Sequence, residues 1–571
     1  MGDTMTCPTR NLIAIGSVVL IAGLAGCSAE SSETAGAAQD LTSRTLRVPT
    51  AYVPPQCYTK TTLADGSAAN TCYSCHTNGR KPNFINDTDL QLAYDFANPM
   101  RTARKGNPWT NLFVDRSDVV AAVSDADILA YVRESNYRGP DGDIALADRL
   151  TRVPKGWDAN RDGHWSGFVP DVGFDFDNAG FDHAANGDYT GWRAYAYTPL
   201  PGSFLPTNGS FDDVLIRLPE AFRQGASGQF DADIYALNFA IVESVVKQRD
   251  VPIDPVDEND VGVDLNRDGR LDQARQVTFD WAPREGRDMS WVGRARSDNA
   301  KLAAGLFPKG TEFIHTLRYL DVNDDGKVVR GARMKELRYA RKQSWFTYSD
   351  LRQKDFLDAK EAHDFPNRPE RFRGDVEHGL ANGVGWVYQG FIEDARGDLR
   401  PQTFAETTSC MGCHGGVGAT TDSTFSFARK LDASTPGHGW TWWDQRPVAS
   451  LPEPLLADGR PEYATYLKIN HAGDEFRSNF EIIDRFFNAD GSLKQSELNA
   501  LKTRIGALVL PSADRATSLD KAYRAIVREQ SFEQGRAAHV QPMPNVYRQV
   551  LAGQSTGIDK PLVVGHDSGL E

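Results

Sequence analysis

Cys72-Tyr73-Ser74-Cys75-His76 and Cys410-Met411-Gly412-Cys413-His414 are two copies of C-x-x-C-H, the pattern of covalent c-type haem attachment. Two thiols at this spacing add to the two vinyl groups along one porphyrin edge. The adjacent imidazole then lies under the iron as proximal ligand. A chain that carries both copies is expected to fold around two porphyrins. With 7 Cys and 11 His in 571 residues, a shuffled sequence would hold roughly 0.002 such motifs. A Cys₄ zinc site would also use two CxxC pairs, but ribbon-type sites keep them within about 15–20 residues. Here they are 338 positions apart, and each carries the trailing His. A thioredoxin-like dithiol lies near a βαβ pattern, and none is evident beside either motif. The expected cofactor residues are therefore Cys72, Cys75, Cys410 and Cys413 as thioether carriers, with His76 and His414 as proximal ligands of two haem c groups.

The front of the chain agrees with this chemistry. A short polar start with Arg10 precedes Asn11 to Gly26, apolar apart from Asn11 and Ser17. That run is too short for a spanning helix and reads as an export signal. It ends Leu24-Ala25-Gly26-Cys27, which resembles the bacterial lipobox. The resemblance implies diacylation of Cys27 as the first mature residue, and Ser28 in place of Asp implies outer-membrane sorting. The expected location is the periplasmic or cell-surface face of the bacterial outer membrane, with acyl chains anchoring rather than spanning. Ser28 to about Thr45 is rich in Ser, Ala, Glu and Thr and cannot bury a core, so it reads as a tether. Cys7 leaves with the leader, Cys27 takes lipid and four thiols take haem. Cys57, 15 residues before the first motif, is left over. The net charge of −14 disfavours nucleic acid and suits a basic redox protein partner.

Patterning divides the rest. Residues 1–26 read as signal peptide, 27–50 as tether, 51–153 as a first haem segment, 154–348 as a β-rich middle and 349–571 as a second haem domain. The expected fold class is α+β, with helical cytochrome c-like segments near both ends flanking an Asp- and Gly-rich, partly β middle. Ser124 can cap a helix carrying Asp125, Asp127, Ile128, Leu129 and Val132. Phe313, His315, Leu317 and Tyr319 alternate as in a half-buried strand, and Val277 to Trp281 reads likewise. Ile234 to Val246 fits both a helix and a strand. Val384 to Asp394 reads as a strand, Ala395 to Asp398 as a turn, and Leu498 to Leu508 and Leu519 to Ile526 as helices.

Three loops in the middle share D-x-N-x-D-G: Asp158, Asn160 and Asp162; Asp264, Asn266 and Asp268, with Asp272 beyond; and Asp321, Asn323 and Asp325. This is the front half of an EF-hand loop, in which alternate oxygens converge on Ca²⁺. The closing Glu is replaced by Val169, Arg275 and Ala332, so the expectation is truncated calcium loops, against plain Asx turns joining strands.

The sixth iron ligand separates carrier from catalyst. Met543, in Gln541-Pro542-Met543-Pro544, resembles the Pro-flanked distal loop of class I cytochromes and is the candidate opposite His414. Met100, after Pro99, is the candidate opposite His76. His164, His183, His438, His471 and His539 are rivals.

The motifs and leader together resemble bacterial di-haem c-type cytochromes, over perhaps 60 residues around each motif, without identifying a subfamily. Two haems on an exported chain are also similar to di-haem cytochrome c peroxidases and rubber oxygenases. The first resemblance implies electron transfer in the periplasm or at the outer membrane. The second implies a peroxidase or oxygenase with one open, high-spin haem. A third reading is a surface binding module with calcium-stiffened loops.

Overall fold

A computed structural model describes residues 41–42, 53–77 and 106–560, apart from residue 64 and the stretches 197–198, 203–204, 281–288, 366–371, 415–416, 425–438, 446–447, 457, 472–478 and 552–553. Cys27 and Met100 lie outside the described residues. Asp40–Glu571 forms one compact unit.

The centre of that unit is an antiparallel sheet of nine strands. In chain order the strands are β1 (Phe181–His183), β2 (Tyr189–Ala196), β3 (Phe211–Arg217), β4 (Val251–Asp257), β5 (Gln273–Val277), β6 (Glu312–Val322), β7 (Val328–Lys342), β8 (Arg373–Asp375), β9 (Gly379–Ala381), β10 (Trp386–Glu393) and β11 (Leu399–Pro401). The sheet runs β1-β2-β3-β6-β7-β10-β9-β8, with β11 paired to β10; β4 and β5 form a separate hairpin. The long β6–β7 hairpin closes at Asn323, whose Oδ1 accepts from the amides of Asp325 and Lys327. Gly326 there sits at φ +74, a conformation that glycine adopts without a Cβ penalty.

Alternation gives the sheet two apolar faces. On one, Ile216, Phe313, Ala340, Trp386 and Tyr388 pack with the helix Ala232–Lys247 and with Phe404, Met411 and Trp440. On the other, Leu215, Ile314, Leu337, Tyr339 and Phe391 pack with Tyr137, Leu146, Leu150, Trp157 and Val172. Burial on both sides explains why β10 is nearly all buried rather than alternating. The ambiguous stretch resolves as the helix, because Asp231 caps it by accepting from the amides of Asp233 and Ile234. Ser124 likewise caps Asp125–Arg133, which packs through Ile128 and Val132 on Tyr523 and Ile526 of the helix Ala513–Glu529.

The expected fold class is corrected. The architecture is a mostly antiparallel sheet with helices around it, not helical cytochrome c-like ends flanking a β middle. Among the described residues, the helices near the second motif do not close over it as a small bundle. They are tied into the sheet through shared cores. No helix among the described residues is long and apolar enough to cross a membrane.

Candidate haem site

β10 turns at Asp394 to Asp398 into β11, as the sequence suggests, and delivers the chain to the second motif. Thr403 and Glu406 form a capping box that starts the short buried helix Phe404–Thr408. The carboxylate of Glu406 also takes both Nη1 and Nη2 of Arg400 at 2.8 Å, a bidentate pair buried on both sides. The turn continues through Cys410 N to Thr407 O and Met411 N to Thr408 O, each 3.0 Å, and Met411 anchors the motif in the core.

The motif comes to rest against one face of the sheet. Register places Tyr388 beside Ala340 and Gly390 beside Arg338, while β6 places His315 beside Arg338. The His414 ring stacks on Tyr388, centroids 4.8 Å apart and 24° between planes. His414 Nδ1 lies 2.7 Å from Thr424 O. A carbonyl only accepts, so Nδ1 carries the proton and Nε2 carries the lone pair. This is the usual outer-sphere arrangement of a metal-binding imidazole. Burial lowers both motif histidines, His76 and His414, to about 4, which keeps each ring neutral and competent as a ligand.

The first motif arrives from the other end of the chain. Asn70 N donates to Ile469 O, Asn70 Oδ1 accepts from Cys72 N, and His76 N donates to Cys72 O. Tyr73 packs against Tyr466, rings 5.9 Å apart, among the helices that follow the second motif. The loop after His414 then crosses to it. Ala419 N donates to Cys75 O at 3.1 Å. Gly418 runs so close that a Cβ there would lie 2.2 Å from Thr77 O. Gly418→Ala is therefore expected to lower stability by about 1–3 kcal/mol, through a backbone clash that no side chain can relieve. A fall in the urea midpoint measures it.

The described cysteines are Cys57, Cys72, Cys75, Cys410 and Cys413. Burial, joined by the sulfurs of Cys75, Cys72 and Cys413, pushes the Cys57 thiol up, so thiols from three chain segments share one locality. Cys75 and Cys413 are exposed, yet burial raises Cys413 to about 11 against the opposing charge of Arg338. Among the described residues no group of three or more His, Cys, Asp or Glu side chains gathers as a bare metal-ion site. A haem brings four nitrogens of its own and asks the protein for one or two axial ligands, which this donor set fits.

Other expected residues fall elsewhere. Met543 is buried with Cys57, Tyr58, Trp109 and Leu112, beside the segment that leads into the first motif, although the sequence suggested the second. His539 has Nε2 2.7 Å from Asn111 O and Nδ1 2.9 Å from Gln541 O, and His183 has its ring nitrogens on Gly187 O and Asp177. Both rivals are thus engaged in structural bonds.

The acidic loops are seen as Asx turns. Asp158 accepts from Arg161 N and Gly163 N, Asn160 from Asp162 N, and Asp162 from His164 N. Asp264, Asn266 and Asp268 accept from the amides of Gly269, Asp268 and Arg270. Asp272 N donates to Glu258. Asp321 pairs with Arg133, and Asn323 closes the β6–β7 turn around Asp325.

Sequence reasoning missed Tyr388, Thr424, Arg338 and Glu336. Nothing in the sequence set the last two apart from Arg330, Arg333, Lys335, Arg341 and Lys342 of the same strand.

Comparison with known proteins places the chain in a class of exported proteins anchored by lipid. A family model described as "-like lipoprotein" matches residues 41–499. An uncharacterized lipoprotein of Aquifex aeolicus (strain VF5) is 30% identical, over 92% of this chain and 91% of that protein. The chain belongs to this lipoprotein family. No solved structure matches it. Membership here corrects the resemblance to the di-haem c-type cytochromes, which the fold does not share. The expectation from Cys27, an exported and lipid-anchored protein, stands.

Proposed function

We propose that this lipoprotein binds two haem c groups covalently, at Cys72, Cys75 and His76 and at Cys410, Cys413 and His414, and passes electrons between redox protein partners on the periplasmic or outer face of the outer membrane. The observation that carries the reading is convergence. Two motifs 338 positions apart meet through the Ala419–Cys75 hydrogen bond and the Gly418–Thr77 contact. Independent attachment sites would not need to touch; a relay does.

The chain's own residues have definite parts in this. Cys72 and Cys75 fix the edge of one porphyrin, and Cys410 and Cys413 fix that of the other. Thr424 O orients His414 through Nδ1 and so presents Nε2 to a metal. Tyr388 holds the ring plane by stacking. When bound, haem supplies the one-electron chemistry.

Cys72→Ala/Cys75→Ala and, separately, Cys410→Ala/Cys413→Ala are each expected to halve covalent haem in protein matured in a c-type haem-attaching host. The remaining haem should reduce and reoxidise reversibly. Electron paramagnetic resonance of the oxidised wild type tests the carrier role, with low-spin iron expected. A high-spin signal that shifts with peroxide would replace the carrier with the peroxidase or oxygenase reading.

A further inference from the structure

The sheet face beneath the second motif carries an excess of buried positive charge. Glu336 accepts from Arg338 Nε at 2.9 Å, from Arg536 Nη1 at 2.8 Å and from Gln402 Nε2 at 3.0 Å. Arg536 Nη2 also donates to Glu406 O at 2.5 Å. Glu406 is already paired with Arg400. Three guanidiniums thus face two carboxylates in this cluster. Gly390 makes the arrangement sterically possible: a Cβ there would lie 2.3 Å from Gln402 Oε1, so the missing side chain is what lets Gln402 reach Glu336.

Arg338 is the member whose charge acts on both cysteines of the motif. It lies one register step from Tyr388 on the same face, and Tyr388 stacks on His414. Its side chain is 23% exposed while Glu336 is 1% exposed, so the counter-charge lies deeper than the guanidinium. Its charge is felt at Cys410, at Cys413 and at the His414 ring.

We infer that Arg338 sets the reduction potential of the centre held by His414, a claim that rests on the two-haem reading above. The oxidised centre carries one more positive charge than the reduced one. A fixed cation beside it, in surroundings that solvent and salt screen poorly, disfavours the oxidised form and raises the potential. Arg338 acts here as a positioning charge, not as an iron ligand.

The test is a spectroelectrochemical titration of the full-length, haem-loaded protein. Arg338→Gln is expected to lower one of the two midpoints. At the wild-type midpoint of that haem the oxidised-to-reduced ratio should rise about tenfold. The other midpoint should hold, and Arg338→Lys should restore most of the shift. Arg536→Gln removes the same excess charge while leaving the Arg338–Glu336 pair intact, and it should lower the same midpoint. This second variant keeps the test decisive if Arg338→Gln loads poorly. Two bound haems with both midpoints unmoved in the variants would overturn the role of Arg338 and leave the two-haem reading standing. Wild-type protein without haem would overturn that reading itself.

Discussion

Glu336→Ala is expected to lower stability by about 3–5 kcal/mol, the cost of leaving buried charge without its partner. The carboxylate is 1% exposed and holds Arg338 and Arg536 at once. Removing it leaves two guanidiniums facing each other in a protein interior. Chemical denaturation with far-ultraviolet circular dichroism measures the loss. The same group gives a pH dependence with a definite sign. Burial alone would raise Glu336, but Arg338 and Arg536 outweigh it and hold it near 2, below its ordinary 4.5. A depressed carboxyl stabilises the folded state fully above the unfolded value. That contribution is lost as pH falls from about 4.5 toward 2. The wild type should therefore lose stability steeply over this window, and Glu336→Ala should lose less of it. Equal slopes for the two proteins would show that Glu336 is not the group responsible.

Asp422→Ala is the second large effect, and it reaches the site directly. Asp422 pairs with Lys342, both almost fully buried, and accepts from Phe307 N at 3.1 Å. It lies in the loop that carries Gly418 and Ala419 to the first motif and Thr424 to His414. Asp422 and Ser423 sit at φ 53 and 54, the left-handed region that non-glycine residues rarely enter. Strain of this kind persists only where surrounding contacts over-determine the backbone. Removing the carboxylate releases that loop and leaves Lys342 buried alone, at a cost of about 3–5 kcal/mol. Unlike Glu336→Ala, this variant is expected to lose haem from the second motif, because the carbonyl that orients His414 shifts with the loop. Full haem retention with wild-type stability would refute the part given to Asp422. Asp422→Asn, which keeps the acceptor for Phe307 N, should fall between the two.

Local structure was legible where a local signal existed. Ser124 and its acidic first turn announced a helix, and alternation announced β6. Ala395 to Asp398 announced the hairpin between β10 and β11. The sheet order was not legible, because β3 beside β6 and β7 beside β10 are pairings across long stretches of chain. No periodicity within a strand names its neighbour. The same limit hid the site. The residues proposed to carry haem were singled out by their C-x-x-C-H spacing alone. Tyr388, Thr424 and Arg338 serve through space, and only the fold reveals them. The acidic loops carry one pattern with two uses: a carboxylate that closes an Asx turn and one that binds calcium occupy the same sequence spacing, and the structure shows the turn bonds. A Pro-flanked methionine states nothing about which segment it packs on, and only the fold places Met543 with Val53, Tyr58, Trp109 and Leu112.

The central claim is that each C-x-x-C-H holds one covalent haem. Intact-mass measurement of the full-length protein, matured in a host that attaches c-type haem, tests it most directly. The account predicts a mass above the lipidated polypeptide by two haems, falling by one haem when either cysteine pair is replaced by Ala. A mass with no haem added, with the four cysteines recovered as free thiols or disulfides, would contradict it.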